Sequence, residues 1–153
     1  MPERAFQHHQ DVPCGTIIDV QEGTMTEETM IRGNGETLLV VEDEMQLLVM
    51  ITYLLEGLGY QVITARSGQD ALEKITDGVT FDLMLTDVVM PGSIGGFELA
   101  RQVRAARPDV RIIYSSGYTG FSEDEMGDVR APVLPKPTPP HQLASALAEA
   151  FAS

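Results

Sequence analysis

The segment Leu-Leu-Val-Val-Glu-Asp-Glu, residues 38–44, is a short apolar run that ends abruptly in three acidic residues. A continuous apolar run of this length predicts a strand that is buried on both faces. A helical pattern follows, because apolar residues recur at three- and four-residue steps over residues 47–58, and Gly57 and Gly59 close it. A buried strand followed by an amphipathic helix is the first half of a βαβ unit, so the segment predicts a parallel sheet.

The rest of the chain repeats this alternation. Further strands are predicted at residues 61–65, 83–85, 110–114 and 133–134, with helices starting at Ser67, after a glycine-rich loop at 92–96, at Ser122 and at Pro139-Pro140. The helix that starts at Ser122 is predicted to be short, because Gly127 and Pro132 leave it little length. The fold class predicted is α/β: a doubly wound, flavodoxin-like domain with a five-stranded parallel sheet in the order 2-1-3-4-5.

Composition indicates one globular domain preceded by a different kind of segment. The chain has 153 residues, of which 43% are hydrophobic, enough for one core. Residues 1–35 contain few large apolar residues, so they are interpreted as a mostly irregular N-terminal tail or linker, with a short element possible around 15–20. Residues 36–153 form the predicted domain. The single cysteine, Cys14, is expected to be an unpaired thiol.

Charge and hydropathy exclude several classes of partner. The formal net charge of −13 would repel phosphate backbones, so no direct contact with nucleic acid is expected. The chain has no apolar stretch of roughly 20 residues and no signal-peptide pattern at its N-terminus. We therefore expect a cytoplasmic location and no direct membrane contact.

Polar residues follow the predicted strands. Glu42-Asp43-Glu44 come after the first strand, Asp87 after the third, Ser115-Ser116 after the fourth and Lys136 after the fifth. Each alone has an ordinary explanation, since acidic residues favour helix starts and an isolated lysine is usually exposed. However, the carboxyl ends of parallel strands lie on one edge of the sheet, where such folds bind ligands. The sequence therefore predicts that these groups meet in one crevice.

The chemistry of this set favours phosphoryl transfer. Clustered carboxylates repel one another unless a cation is present, and oxygen ligands suit Mg²⁺, for which Mn²⁺ could substitute. Lys136 would supply a second positive charge and Ser116 a hydrogen bond, as phosphoryl transfer requires. An aspartate can form an acyl phosphate, and Asp87 is the best placed nucleophile.

Four motifs in order resemble the receiver domains of response regulators, the CheY-like family of bacterial two-component systems. They are LLVVEDE (38–44), DLMLTDVVMP (82–91), YSSGY (114–118) and LPKP (134–137), and the resemblance covers residues 36–151. It implies a phosphorelay receiver that accepts a phosphoryl group from phosphohistidine in a Mg²⁺-dependent reaction and switches partner binding. Such a protein is not a conventional enzyme, although it catalyses its own aspartyl phosphorylation and dephosphorylation.

The resemblance also implies a role for each residue of the site. Asp87 would be the phospho-acceptor and Asp43 a direct metal ligand, with Glu42 acting on the metal largely through water. The backbone carbonyl of Val89 would complete the protein ligands. Lys136 would contact the phosphoryl group, with a cis Lys136-Pro137 bond, and Ser116 would be the hydroxyl that moves toward a phosphoryl oxygen.

The chain departs from the family pattern in three places. Val133 stands where many members carry an aromatic residue coupled to the hydroxyl, so Tyr114 or Tyr118 is a candidate replacement. The loop at 92–96 is one residue longer than the common pattern. The segment before the fifth strand is short, so the partner surface is expected to be unusual. Val89 and Tyr118 are also predicted to restrict the access of water to the phosphoryl group.

The resemblance implies a histidine kinase or a histidine phosphotransfer protein as partner, and a homodimer through the face of the fourth and fifth strands is a further prediction. Residues 36–38 and 114–119 are similar to receivers attached to hybrid histidine kinases, so a stand-alone receiver and a piece of a longer protein both stay open.

Three alternative functions compete with this interpretation. A flavodoxin-like nucleotide binder would need hydroxyls and glycines after the first strand, where Glu42-Asp43-Glu44 would repel phosphate. A phosphatase of the haloacid dehalogenase type also uses an aspartate nucleophile on an α/β sheet. Its pattern has a second aspartate two residues after the nucleophile, where this chain has Val89. A pseudo-receiver, a non-phosphorylated protein-interaction module, is the alternative function, although the acidic residues and Lys136 argue against it.

Overall fold

The computed structural model describes residues 31–152, and within them strands and helices alternate as predicted. The elements are β1 (Thr37–Val41), α1 (Met45–Gly57), β2 (Gln61–Ala65), α2 (Gly68–Thr76), β3 (Leu83–Asp87), α3 (Gly96–Ala106), β4 (Arg111–Ser116), α4 (Glu123–Met126), β5 (Val133–Pro135) and α5 (Pro140–Ala152). The short element considered around residues 15–20 lies outside the described residues. None of the helices within residues 31–152 is long and apolar enough to cross a membrane.

All five strands pair in parallel in the order β2-β1-β3-β4-β5, which confirms the predicted sheet. The register aligns the carboxyl ends of neighbouring strands. Asp87 of β3 is opposite Ser115 of β4, and Ser116 is opposite Pro135 of β5. The residue after β5, Lys136, is thereby brought to the same edge as Asp87.

Two apolar layers cover the sheet, one on each face. On one face the buried residues of α2 and α3 pack on alternate strand residues such as Leu39 and Met84. On the other, those of α1 and α5 pack on the intervening ones, among them Leu38 and Leu85. Every residue of β3 is buried, because this central strand has a layer on both sides.

β3 and β4 each run two residues beyond their predicted ends, and β4 starts one residue later than predicted. The extension brings Thr86, Asp87, Ser115 and Ser116, all buried, into the strands. A strand predicted from apolar patterning ends at its last large apolar residue. The observed strand continues as long as a neighbouring strand pairs with its backbone N–H and C=O groups. The polar residues of the sheet edge are thus held by strand geometry rather than by loops.

α4 is a single turn, as the sequence predicts. Ser122 and Glu125 form a capping box at its start, and Gly127, with φ of 76°, ends it. The hydroxyl of Tyr114 donates a hydrogen bond of 2.7 Å to the carbonyl of Val129, which ties the segment after α4 to the core.

The last residues of the predicted tail are attached to the domain. The amide of Gly33 donates to the carbonyl of Leu58 at 2.7 Å, and that of Gly35 donates to the carbonyl of Gly59 at 2.9 Å. Gly33 is buried, and a Cβ there would overlap the ring of Tyr60.

The loop after β3 returns closely to the strand it leaves. Gly92 has a φ of 103°, and the amide of Gly96 donates a hydrogen bond of 2.7 Å to the carbonyl of Val88. A Cβ at Gly96 would overlap the carbonyl oxygen of Asp87 and lie 2.7 Å from the Cα of Val88. Only glycine fits at this contact, which sets the start of α3 against the backbone of Asp87.

We expect Gly96→Ala to lower the free energy of unfolding by about 2 kcal/mol, because backbone atoms must move to admit the methyl group. Gly57→Ala is the matched control, since Gly57 lies in α1 with nothing within 4 Å of the added carbon. It should stabilise the protein by about 0.5 kcal/mol through helix propensity. Urea denaturation followed by circular dichroism measures both changes. Equal unfolding midpoints for the two variants would contradict the close packing at Gly96.

Candidate functional site

Three carboxylates meet at the carboxyl edge of the sheet, as the sequence predicts. Glu42 and Asp43 directly follow β1, and Asp87 is the last residue of β3. One oxygen from each lies within 4.8 Å of the other two. Asp87 is only 2% exposed and Glu42 7%, whereas Asp43 is half-buried.

The ammonium of Lys136 lies between two of these carboxylates. Its Nζ donates to Oδ1 and Oδ2 of Asp87 at 2.9 and 3.1 Å, and it is 3.1 Å from Oε1 of Glu42. Glu42 is fixed further by the amide of Glu44, which donates to its Oε2 at 3.0 Å. The peptide bond between Lys136 and Pro137 is cis, as the resemblance implies.

Lys136 compensates the buried negative charge only in part. Burial raises the pKa of Asp87, the hydrogen bonds from Lys136 lower it, and the charge of Glu42 raises it again, so that it reaches about 7 against an ordinary 3.8. For Lys136, burial opposes the charged form, but the hydrogen bonds to Asp87 and Glu42 outweigh burial and raise its pKa. The site therefore attracts additional positive charge.

The donor set fits a hard divalent cation. Glu42, Asp43 and Asp87 offer only oxygen atoms, and Mg²⁺ is usually bound by one or two carboxylates while it keeps several waters. The backbone carbonyl of Val89, the fourth predicted ligand, belongs to the residue two positions after Asp87 in the following loop. Three carboxylates face one ammonium in this cluster, and a cation would compensate the remaining negative charge.

The two serines at the end of β4 have different surroundings. Ser115 pairs with Asp87 in the ladder, and its carbonyl accepts a hydrogen bond of 3.0 Å from the amide of Val88. Ser116 is buried next to β5, and its Oγ accepts a hydrogen bond of 3.1 Å from the amide of Tyr118. Of the two side chains, that of Ser116 is the one with a hydrogen bond to the loop before α4.

The four residues predicted to tune water access or switching are not grouped together. Tyr114 is fully buried and belongs, with the partly buried Val133, to the core layer of α2 and α3. Tyr118 and Val89 are instead 60% and 76% exposed, in the loops that follow β4 and β3. Tyr114 is therefore a core residue with a fixed hydroxyl, and Tyr118 is the exposed aromatic residue beside Ser116.

Sequence reasoning missed a set of rings around Tyr118 and Tyr114. Phe97 of α3 lies between Tyr114 and Phe121, with ring centroids 4.8 and 5.1 Å away, respectively. Phe97 lies in the helix predicted after the loop at 92–96, whereas Phe121 lies in none of the predicted elements. Their distance in sequence concealed this contact.

An apolar cavity of about 370 Å³ beside the site was also missed. It lies between α1 and α5, includes Asp87 and Lys136 in its lining, and is otherwise walled mainly by Leu47, Met50, Ile51, Leu54, Pro137, Pro139, Pro140 and Leu143. A signal existed in the sequence, because α1 is apolar on more sides than the core can cover. Its exposed apolar residues are Met45, Val49, Met50 and Tyr53.

Comparison with known proteins gives consistent matches. The family described as "Response regulator receiver domain" matches residues 38–148. The chain is 34% identical over 135 residues to the sensor kinase CckA of Brucella abortus, covering 86% of this chain but 14% of CckA. It is 33% identical over 102 residues to the response regulator receiver protein CpdR of the same organism, covering 65% of this chain and 83% of CpdR.

Solved structures resemble this fold over most of its length. A response regulator receiver protein from Sinorhizobium medicae superposes with a TM-score of 0.71 at 28% identity, covering 78% of this chain and 96% of that one. The response regulator TrrA from Thermotoga maritima, solved in complex with Mg²⁺-BeF, gives a TM-score of 0.67 at 29% identity, covering 74% of this chain and 97% of TrrA.

We expect Asp87→Asn to stabilise the protein in metal-free buffer, and increasingly so as pH rises. The carboxyl loses its proton near pH 3.8 when unfolded but near pH 7 when folded, so the folded state loses stability progressively between these values. The gain over wild type should be small near pH 4 and on the order of 4 kcal/mol at about pH 8, because each pKa unit corresponds to about 1.4 kcal/mol.

Urea denaturation across this pH range, with a chelator present, measures the gain. Asp77→Asn, at an exposed carboxylate after α2, is the control and should show no such pH-dependent difference. A difference between Asp87→Asn and wild type that stays constant with pH would contradict the charge imbalance.

Proposed function

Because the chain belongs to the response regulator receiver family, we propose that it accepts a phosphoryl group from phosphohistidine onto Asp87 in a Mg²⁺-dependent reaction. The observation that carries this proposal is the environment of Asp87. Its carboxylate is 2% exposed, lies 2.9 Å from the Nζ of Lys136, and shares a cluster with Glu42 and Asp43.

In the proposed reaction an oxygen of Asp87 attacks the phosphorus of the phosphohistidine. The new O–P bond forms an acyl phosphate, and the N–P bond breaks with its electron pair left on the imidazole nitrogen of the donor. Asp87 must be ionised to attack, and the ammonium of Lys136 supports that state by hydrogen-bonding both carboxylate oxygens.

Glu42, Asp43, Asp87 and the backbone carbonyl of Val89 are the groups proposed to hold Mg²⁺, for which Mn²⁺ could substitute. The cation would neutralise the clustered carboxylates and the charge on the phosphoryl oxygens. Asp43 would bind it directly, and the more buried Glu42, already paired with Lys136, would act largely through water.

Lys136 and Ser116 are the proposed partners of the phosphoryl group once it is on Asp87. The Nζ of Lys136 needs only a small shift to bind a phosphoryl oxygen, because it already contacts both oxygens of Asp87. Ser116 would turn its hydroxyl to donate to another oxygen. Water later hydrolyses the acyl phosphate, and the exposed side chains of Val89 and Tyr118 would restrict its approach.

The proposed donor is a histidine kinase or a histidine phosphotransfer protein in the cytoplasm. The chain spans 14% of CckA and 83% of CpdR, so a receiver within a hybrid histidine kinase and a small separate regulator both fit its length. The formal charge of −13 supports a protein partner rather than nucleic acid or an anionic membrane. Residues 36–153 would form the receiver, with a homodimer through the face of β4 and β5 as its proposed assembly.

Intact-mass spectrometry after incubation with acetyl phosphate tests phosphoryl acceptance. We expect a labile phosphoryl adduct on wild type that requires Mg²⁺ and is absent from Asp87→Asn, because that variant lacks the nucleophile. Asp77→Asn should form the adduct like wild type. The lack of an adduct on wild type in every condition would contradict the proposal and favour an interaction module without phosphorylation.

Metal binding can be tested separately at Asp43. We expect Asp43→Asn to weaken Mg²⁺ affinity about tenfold or more, because it removes a charged oxygen ligand. Glu44→Gln is the control, since this exposed neighbour lies outside the three-carboxylate cluster. Thermal unfolding at increasing Mg²⁺ concentrations measures both affinities through ligand-linked stabilisation. Equal effects of the two substitutions would count against Asp43 as a ligand.

A further inference from the structure

The loop between β4 and α4, residues 117–122, is held by a chain of aromatic rings. The ring of Tyr118 meets that of Phe121 nearly edge-on, with centroids 4.8 Å apart and planes at 85°. Phe121 meets Phe97 of α3 in the same manner, at 5.1 Å and 89°. Edge-to-face contacts of this kind stabilise beyond the burial of the rings, so the chain of rings holds the loop against the core.

One end of this chain is connected to Ser116. The amide of Tyr118 donates to the Oγ of Ser116 at 3.1 Å, which directs a lone pair of that hydroxyl toward the loop. The hydroxyl of Tyr118 in turn donates to the carbonyl of Gly120 at 3.2 Å. Its ring lies over Gly120, where a Cβ would come within 2.8 Å of the hydroxyl oxygen. Backbone and ring of Tyr118 are therefore both fixed.

The other end of the chain leads to α4. Phe121 directly precedes Ser122, whose Oγ accepts from the amide of Glu125 at 3.2 Å and whose own amide donates to Oε1 of Glu125 at 2.7 Å. None of the four residues of α4 is fully buried, and its contact with the core is made by one partly buried side chain, that of Met126. A displacement of Phe121 would be passed to the helix through its capping box.

We propose that Tyr118 and Phe121 are positioning residues that orient the hydroxyl of Ser116 and transmit its movement to α4. This inference rests on the proposed function, because the phosphoryl group on Asp87 is what would draw the hydroxyl away from the amide of Tyr118. Where that amide follows the hydroxyl and keeps its hydrogen bond, the backbone of Tyr118 moves and displaces its ring against Phe121.

The composition of β5 supports this path. Its sequence Val-Leu-Pro carries no aromatic residue, and Val133, opposite Tyr114 in the sheet, packs into the core layer. The ring of Tyr114 is held in the same layer, with its hydroxyl donating to the carbonyl of Val129. Tyr118 is thus the aromatic residue of the loop whose backbone is hydrogen-bonded to the side chain of Ser116.

Amide NMR spectra of the full chain, with and without Mg²⁺ and beryllofluoride as a phosphoryl mimic, test this coupling. The amides of Val88 and Lys136 report on the site, and those of Glu125 and Gly127 report on α4. In wild type both groups of signals should shift. In Tyr118→Leu the site signals should still shift, while the shifts at α4 fall at least about threefold, because the ring contact is lost.

Three further variants complete the test. Tyr118→Phe keeps the ring and should respond like wild type, and Phe121→Leu should respond like Tyr118→Leu. Tyr53→Leu, which removes an 82% exposed tyrosine from α1, is the matched control and should respond like wild type.

The outcomes separate the two proposals. Undiminished shifts at α4 in Tyr118→Leu, with site shifts intact, would overturn the coupling and leave the proposed function standing. A residue that only packs the loop would change the α4 signals of the free protein and leave their response to beryllofluoride intact, which also overturns the coupling. Absence of site shifts in wild type would overturn the proposed function and the coupling with it.

Discussion

Lys136 holds its ammonium between two buried carboxylates and so joins segments that no local contact brings together. Asp87 and Glu42 lie 49 and 94 residues before it in the chain, yet its Nζ is within hydrogen-bonding distance of both. One ammonium cannot balance this much buried negative charge, and the pKa of Asp87 remains near 7. The site therefore retains an attraction for positive charge, which a receiver would use to bind a divalent cation and then a phosphoryl group.

The sheet makes such an unfavourable arrangement possible. Apolar layers on both faces bury β3 completely, and its ladder continues to Asp87, so the carboxylate is held at a strand end without freedom to turn toward water. Gly96 allows the start of α3 to pack against the carbonyl of Asp87. The stability of the two cores thus offsets the cost of crowding charges at one edge, a common relation between scaffold and functional site.

The surroundings of the site differ on its two sides. Toward α1 and α5 lies an apolar cavity, next to a helix with several exposed apolar residues. Toward α4 lies a loop packed by aromatic rings and a one-turn helix without buried residues. The first side presents apolar surface next to Asp87. On the second side, the contact of α4 with the core is made by the partly buried Met126.

The sequence by itself determined the α/β class and the residues at the carboxyl edge, because buried strands and amphipathic helices leave periodic patterns and parallel strands align their ends. The strand order was predicted from the resemblance of its motifs to receiver domains. The sequence also predicted that α4 would be short, from Gly127 and Pro132. Only the tertiary structure decided that β3 and β4 extend through Asp87 and Ser116, since backbone pairing leaves no trace in side-chain patterning. The same holds for the position of Tyr114 in the core, the contacts of Phe97 and Phe121, and the cavity beside α1. Such contacts join residues that are far apart in the chain. The local sequence around each of them does not show which distant residue it will contact.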